Sequence, residues 1–433
     1  MGDNAWTALR DGYTEPVRDV LWGHIYLSPG MTALIRSLPF TRLYRILQLG
    51  PAYMVYPGAA HTRAAHSLGV YHLARRLLLN LAERGADSWL SAEGVRSFLC
   101  AGLLHDLGHF PYTHSLKELP LVPHETLTAK LIRAEPLRSL IGAAGADPEM
   151  SAAIVDTLEP GAEPENAELR FYRKLLSGVL DPDKLDYLNR DAACCGVPYG
   201  AQDVDFIYSR LYPHPERGID IDSRGLPGVE AVLFSKYLMY RTVYWHRSVR
   251  SATAMIKTAV LSGLRDACFS EEALYNLDDQ GLFGLLDERA HPRFSLARQV
   301  RDGRLYSVLA EFPFDEEKHG GLRDVSSRFQ YEEALAAKLS SLAGLEGGSG
   351  ARAMEPGELI IDIPEPVSFE TGLYVRDEGR CFTESSGIFQ ADVLRAFIKS
   401  LRIIRIFASP VFEKALRHKD LREILCNCQN CLY

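Results

Sequence analysis

Cysteine is scarce in this 433-residue chain. The eight present are Cys100, Cys194, Cys195, Cys268, Cys381, Cys426, Cys428 and Cys431, too few and too irregular for a disulfide framework in a chain of this length. A disulfide-stapled secreted scaffold is excluded, and a reduced, cytoplasmic protein is expected. Long apolar runs are also missing: none reaches the length of a membrane span. The opening MGDNAWTALRDGYTEP has no apolar export segment, and Trp6 stands where a myristoylation signal would want Ser or Thr, so no membrane partner is expected. Positive charge is not in excess either. A net charge of −8 argues against a protein whose main task is coating nucleic acid, which stays a partner that nothing indicates. A small anionic substrate is easier to accommodate. No internal repeat is found.

What the chain does have is helical period. It runs through FTRLYRILQLG, HSLGVYHLARRLLLNLAERG and SAEGVRSFLCAGLLHDLG, with Ser91 as a helix start and Gly85 as a helix stop. IDIDSRG from Ile219 is a lone strand candidate, and residues 271–345 continue in helix-like alternation. Beyond the Gly-rich LAGLEGGSGARAMEPGE, the segments ELIIDIPEP, GLYVRDEG, GRCFTESSG and RIIRIFASP alternate like strands, with helices near Ala391 to Ser400 and from Pro410. The expected fold is mainly α: a helical core with a smaller C-terminal α+β lobe. Its expected division is a core with an N-terminal extension over 1–340, a linker or mobile loop over 341–357, and a lobe with a Cys-rich tail over 358–433.

Four separated residues carry the chemistry: His66, the adjacent His105 and Asp106, and Asp183. Two imidazoles and two carboxylates give mixed N/O ligation suited to a divalent transition metal (Mn, Fe, Zn, Co or Ni), with positions left for water and a phosphate oxygen. The apolar AGLL run reads as the buried end of a helix that delivers His105 and Asp106 into a cavity. Alone, an HD dipeptide would be a capping or core pair; the flanks change that weighting. Arg63 lies three residues before His66, where its planar fork suits a phosphate. His109, His114, His124 and Glu125 form a histidine-dense stretch that can divide ligation and proton transfer. In DPDKLDYLNRD, Asp183, Tyr187, Arg190 and Asp191 fall near one helical face, suiting metal, sugar and hydroxyl contacts, while Lys184 can reach a phosphate; a solvated charged face fits the same alternation. Lys236, Tyr240 and Tyr244 repeat every four residues, as a core stripe or a pocket wall would.

Taken in order, VYPGAAHTRAAHSLGV, AGLLHDLGHFPYTH, HE and DPDKLDYLNRD closely resemble the HD-domain deoxynucleoside triphosphate triphosphohydrolases, nearest the SAM-and-HD-domain branch. The likeness runs from GHIYLSP to the tyrosine stripe and more loosely into the C-terminal lobe. The resemblance implies a helical HD core, a metal on His66, His105, Asp106 and Asp183, and hydrolysis of a dNTP to deoxynucleoside and tripolyphosphate by metal-activated water at the α-phosphorus, with Mg as an added ion on the triphosphate. It further implies His114 as proton donor, beside His109, His124 and Glu125, and phosphate contacts from Arg63, Lys184 and Lys236, the last where the branch more familiarly has arginine. Gln48 and Asp191 match contacts to the sugar 3′-hydroxyl, Tyr187 the residue packed where a 2′-hydroxyl would sit, Tyr244 one near sugar and base, and Leu49 one beside the base.

A homo-oligomer, dimer or tetramer, is implied as well. Two departures stand out. Arg36, Thr41 and Tyr44 replace the residues that read a guanine effector, which leaves nucleotide activation open, and Lys117 replaces the acidic partner of the proton-donating histidine, so that either Glu118 next to it substitutes or the donor assignment to His114 is weaker. The HD-type sequence begins so near the start that no SAM module is expected. Cys426, Cys428 and Cys431 lack an evident fourth ligand and are expected to be free or redox-prone thiols, metal capture across a subunit interface being the alternative; Cys194 and Cys195 are expected to be packing residues. The competing functions are an HD phosphohydrolase on a monophosphate, ribonucleotide or cyclic nucleotide, and a nucleotide-sensing or nucleic-acid-binding protein with little turnover.

Overall fold

Thr62 accepts a hydrogen bond from the Ala65 amide and so starts the Arg63–Glu83 helix, while Gly85, at φ +98°, turns the chain away just beyond its end. Ser91 caps the Ala92–Leu104 helix in the same way through the Gly94 amide. In the computed structural model, which describes residues 3–156, 166–346, 352–369 and 371–416, these two helices pack against each other, and the first also packs on the Pro182–Cys195 helix. Leu73, Leu77, Leu99, Leu103 and Leu188 are fully buried in their shared core. Burying each such side chain is worth about 1.5–3 kcal/mol, so this layer dominates the stability of the region that carries the candidate ligands. The protein is mainly α, with a C-terminal α+β lobe.

The strands are β1 (Glu15–Asp19), β2 (Gly23–Leu27), β3 (Leu211–His214), β4 (Gly218–Ile221), β5 (Ser307–Pro313), β6 (Leu359–Asp362), β7 (Tyr374–Val375), β8 (Arg380–Cys381) and β9 (Ile403–Ala408). β1 and β2 form an antiparallel hairpin that lies against the Arg63–Glu83 helix. The other two sheets have the orders β3-β4-β7-β8 and β5-β9-β6. Each takes strands from both sides of residues 341–357, with β4 and β7 paired in parallel and β9 between β5 and β6.

Three local expectations differ from the structure. SVLAEFP, within the stretch read as helix, is β5, because its ladder partner β9 lies far along the chain. The β1–β2 hairpin was not anticipated, since EPVRD carries a proline and charges instead of a clean alternation. The Ala92–Leu104 helix stops one residue before the HD pair, so His105 is its C-cap and Asp106 lies in the turn beyond. Cys426, Cys428 and Cys431 lie outside the described residues. Among the described residues no helix is long and apolar enough to cross a membrane.

Candidate functional site

The Arg63–Glu83 helix delivers Arg63 and His66 from its first turn, the end of the Ala92–Leu104 helix delivers His105 and Asp106, and the first turn of the Pro182–Cys195 helix delivers Asp183. These four expected ligands converge. His66 Nε2 lies 3.0 Å from Asp183 Oδ1 and 3.9 Å from Asp106 Oδ2; His105 Nε2 lies 3.3 Å from Asp106 Oδ1 and 3.8 Å from Asp183 Oδ1. Ligands held at about 2.0–2.2 Å around one ion sit roughly 3–4 Å apart, so the spacing suits a single cation. Both histidines offer Nε2, because Nδ1 is committed elsewhere: His66 Nδ1 to Asp186 Oδ2 at 2.8 Å and His105 Nδ1 to the Gly102 carbonyl at 3.0 Å. His105 Nε2 is buried and has no hydrogen-bond partner among the described residues, as expected of a ligand atom reserved for a cation. The residues present therefore fit a divalent metal.

The electrostatics agree. Burial would raise the Asp106 carboxyl, but His105, Arg63 and His66 hold it well below the usual carboxylate range. Burial likewise opposes charge on His66, yet hydrogen bonds to Asp183 and Asp186 push it up to about 10. The carboxylates around His66 thus favour positive charge at this point, which suits a divalent cation.

Next to this cluster, Asp106, His109 and His124 bring ligand atoms within 4.8 Å of one another. His109 Nε2 is 3.1 Å from His114 Nε2, and the His109 and His124 rings are 3.8 Å apart. Burial, then the Arg63 charge, pushes His109 well below 6.5; His114, which is exposed on the cavity, is pushed down as well by its enclosed setting and the Arg63 charge. His124 Nδ1 meets Glu125 at 3.0 Å. Glu118 gives its carboxylate to Lys257 at 2.6 Å and Arg328 at 3.0 Å, so the expected stand-in for the acidic partner of His114 is engaged elsewhere.

The site opens into a cavity of about 600 Å³ lined by all four ligands, Arg63, His114, His124 and Glu125, and also by Gln48, Leu49, Lys184, Tyr187, Asp191, Lys236, Tyr240 and Tyr244. Arg63 Nη1 bonds Asp106 Oδ2 at 2.7 Å, Lys184 Nζ bonds Asp181 at 2.7 Å, and Lys236 Nζ bonds the Ser368 carbonyl at 2.8 Å. The Lys236 helix ends at Met239 and passes into a π-turn over Tyr240–Tyr244, which breaks the four-residue stripe while keeping both tyrosines on the cavity.

Several residues that matter here escaped the sequence. Arg190, expected near the face of Asp183, is instead buried beneath it, paired to Asp186 (2.8 and 3.0 Å) and to Asp19 of β1 (2.8 and 3.3 Å). Trp22 Nε1 donates to Asp186 Oδ1 at 2.6 Å. A Cβ on Gly69 would fall 1.9 Å from Asp186 Oδ1, so only glycine leaves room for the carboxylate that orients His66. Asp186 was legible only as the residue three after Asp183. His61 was missed altogether: its Nε2 lies 2.8 Å from Asp191 Oδ1, while the Tyr244 hydroxyl donates to Oδ2 at 2.6 Å.

Burial disfavours a charged His61, but the Asp191 hydrogen bond raises it from 6.5 to about 9. A folded-state value above the unfolded one means the stabilisation is complete below 6.5 and is lost as pH rises through about 9. The melting-temperature gap between the native protein and His61→Gln is accordingly expected to be largest near pH ~6 and to close by about pH 9.5; a gap constant with pH contradicts the assignment.

The HD domain model matches residues 63–172 and the HD associated region model residues 213–418. The chain carries an HD domain followed by an HD associated region. This HD protein is 35% identical over 230 residues to YwfO of Bacillus subtilis (52% of this chain, 49% of the relative), and 29% identical over 276 residues to the deoxynucleoside triphosphate triphosphohydrolase SAMHD1 of Homo sapiens (57% and 44%). It spans about half the length of the curated relatives it matches. Among solved structures, a hypothetical protein from Aquifex aeolicus is similar over 93% of this chain and 98% of that one, with a TM-score of 0.69 and 26% identity.

Proposed function

We propose that this HD protein is a metal-dependent deoxynucleoside triphosphate triphosphohydrolase, releasing deoxynucleoside and tripolyphosphate. The observation that carries the reading is the buried Nε2 of His105, which has no hydrogen-bond partner among the described residues, set among His66, Asp106 and Asp183 on a cavity that cations and sugar-sized polar and aromatic groups line together. The likeness to SAMHD1 supports it. A divalent Mn, Fe, Zn, Co or Ni ion, with Mg on the triphosphate, would supply Lewis acidity and lower the pKa of a water toward about 7.

The chain's own residues do the rest. Arg63, Lys184 and Lys236 bind the phosphates, Lys236 as a point charge without a fork. Attack at the α-phosphorus expels the 5′-oxygen, which needs a proton. His114, held against His109 and flanked by His124 and Glu125, is disfavoured as a cation by its enclosed setting and the Arg63 charge; phosphate charge raises its pKa and lets it carry that proton. The Asp191 oxygens already accept from His61 and Tyr244, but each has a second lone pair for the sugar 3′-hydroxyl, and Gln48 Oε1 is a second buried acceptor without a partner among the described residues. Tyr187, whose ring centroid lies 6.5 Å from that of Tyr244, is the residue assigned to exclude a 2′-hydroxyl. Leu49 and Tyr240 offer apolar contact to the base, with no donor pattern that selects one.

The test is turnover of four dNTPs and four NTPs. Native protein is expected to hydrolyse the deoxy series, and Tyr187→Ala to lose on the order of tenfold or more in deoxy-over-ribo preference; equal rates on both series in the native protein would remove the sugar gate. Assembly as a dimer or tetramer, and control by a nucleotide effector, belong to the same reading and are measured by light scattering with and without nucleotide.

A further inference from the structure

The cavity reaches beyond the residues that the reading above employs. Lys117, Arg250 and Lys257 also line it, together with the segment Ile363–Ser368 that follows β6. Arg250 and Lys257 project from the Arg247–Arg265 helix. They meet Asp362 at the end of β6, which is completely buried: Arg250 bonds it through Nε at 2.7 Å and Nη2 at 2.5 Å, and Lys257 Nζ is 3.6 Å away. Lys257 also pairs with Glu118, which Arg328 shares. In this knot Arg250, Lys257 and Arg328 face Asp362 and Glu118, with Glu332, which accepts from the Ile361 amide, and Glu365 close by.

Lys117 adds a fourth cation and has no carboxylate in ion-pair range among the described residues. It caps the short Thr113–Leu116 turn that holds His114, and its charge weighs on both His114 and Glu125, which places it beside the histidine cluster. At the other end, Ser368 takes Lys236 Nζ on its carbonyl. The cations thus form a strip that starts at the histidines and passes Lys257 and Arg250 toward Lys236. Glu365 faces the same strip; burial, then the Glu118 charge, makes it harder to ionise.

Charged groups locked against buried carboxylates lose little freedom when they meet a ligand, and Arg250 keeps Nη1 outside its fork to Asp362. A single phosphate at the metal cluster could not span such a strip; a chain of phosphates could. We propose that Lys117, Lys257 and Arg250 form a subsite for the tail of a condensed phosphate chain, so that the cavity selects ligands by phosphate chain length, three units or more. Its place in turnover rests on the reading under Proposed function; the binding itself does not.

The experiment is calorimetric titration of the full-length protein with inorganic orthophosphate, pyrophosphate and tripolyphosphate. Native protein is expected to bind tripolyphosphate about tenfold or more tightly than orthophosphate. Lys117→Glu, at an exposed position, is expected to weaken tripolyphosphate about tenfold and to change orthophosphate by less than about twofold. Lys257→Gln is expected to do the same, and it leaves Glu118 with Arg328 and Asp362 with Arg250, so both carboxylates keep a partner. The proposal is overturned if tripolyphosphate binds no more tightly than orthophosphate, or if both variants, with native melting curves, bind it as the native protein does. Strip-dependent tripolyphosphate binding by a protein that hydrolyses no deoxynucleotide would uphold the subsite and overturn the triphosphohydrolase reading instead.

Discussion

Asp183→Ala is expected to lower dNTP hydrolysis by on the order of 10³-fold or more, with little change in folding, because a bound metal contributes several kcal/mol of transition-state stabilisation. Asp183 is the ligand to choose because it is the accessible one: its side chain is 36% exposed, whereas those of His66, His105 and Asp106 are 2%, 11% and 5% exposed. Its oxygen lies 3.0 Å from His66 Nε2 and 3.8 Å from His105 Nε2, so its loss removes one carboxylate from the donor set while the buried pairs of Asp106 with Arg63 and His66 with Asp186 remain. Bound metal, measured on the purified variant by elemental analysis, should fall with the activity. Retention of full activity by a folded Asp183→Ala protein would place the chemistry elsewhere.

Arg190→Met is the second large effect, on stability as well as on the metal. Arg190 is among the most completely buried side chains in the molecule and neutralises both Asp186 and Asp19. Removing one partner of a buried ion network leaves uncompensated carboxylates and costs about 3–5 kcal/mol. Trp22 Nε1 and His66 Nδ1 would then be the side chains still holding Asp186, which orients His66 through that contact. Loss of such an outer partner lowers metal affinity about 10–100-fold. Urea unfolding reads the first consequence and metal titration of the folded protein the second. Asp186→Asn separates them, since it retains a hydrogen-bonding side chain of the same size while removing the charge; a variant pair with native metal affinity would reduce the network to a structural role.

These two residues also mark what could be read in advance. Asp183 was legible as a candidate ligand from its residue type and its motif neighbours within a few positions. Arg190 was placed on the wrong side of its helix, because what decides its direction is Asp19 on the β1–β2 hairpin, 171 residues away in sequence. The same reason hid His61, whose meaning lies in Asp191. Long amphipathic helices such as Arg63–Glu83 followed from period and caps alone. β5 did not, since its partly exposed strand becomes one only by pairing with β9. Lys117 was visible as a departure from the familiar pattern; only the cavity shows that it stands with Lys257 and Arg250.

In the proposed reaction water attacks the α-phosphorus and the bond to the 5′-oxygen breaks. Hydrolysis of a dNTP in ¹⁸O-labelled water, followed by mass analysis of the products, tests it most directly. The account predicts one labelled oxygen in tripolyphosphate and none in the deoxynucleoside. Label in the deoxynucleoside, or release of pyrophosphate with a deoxynucleoside monophosphate, would contradict it.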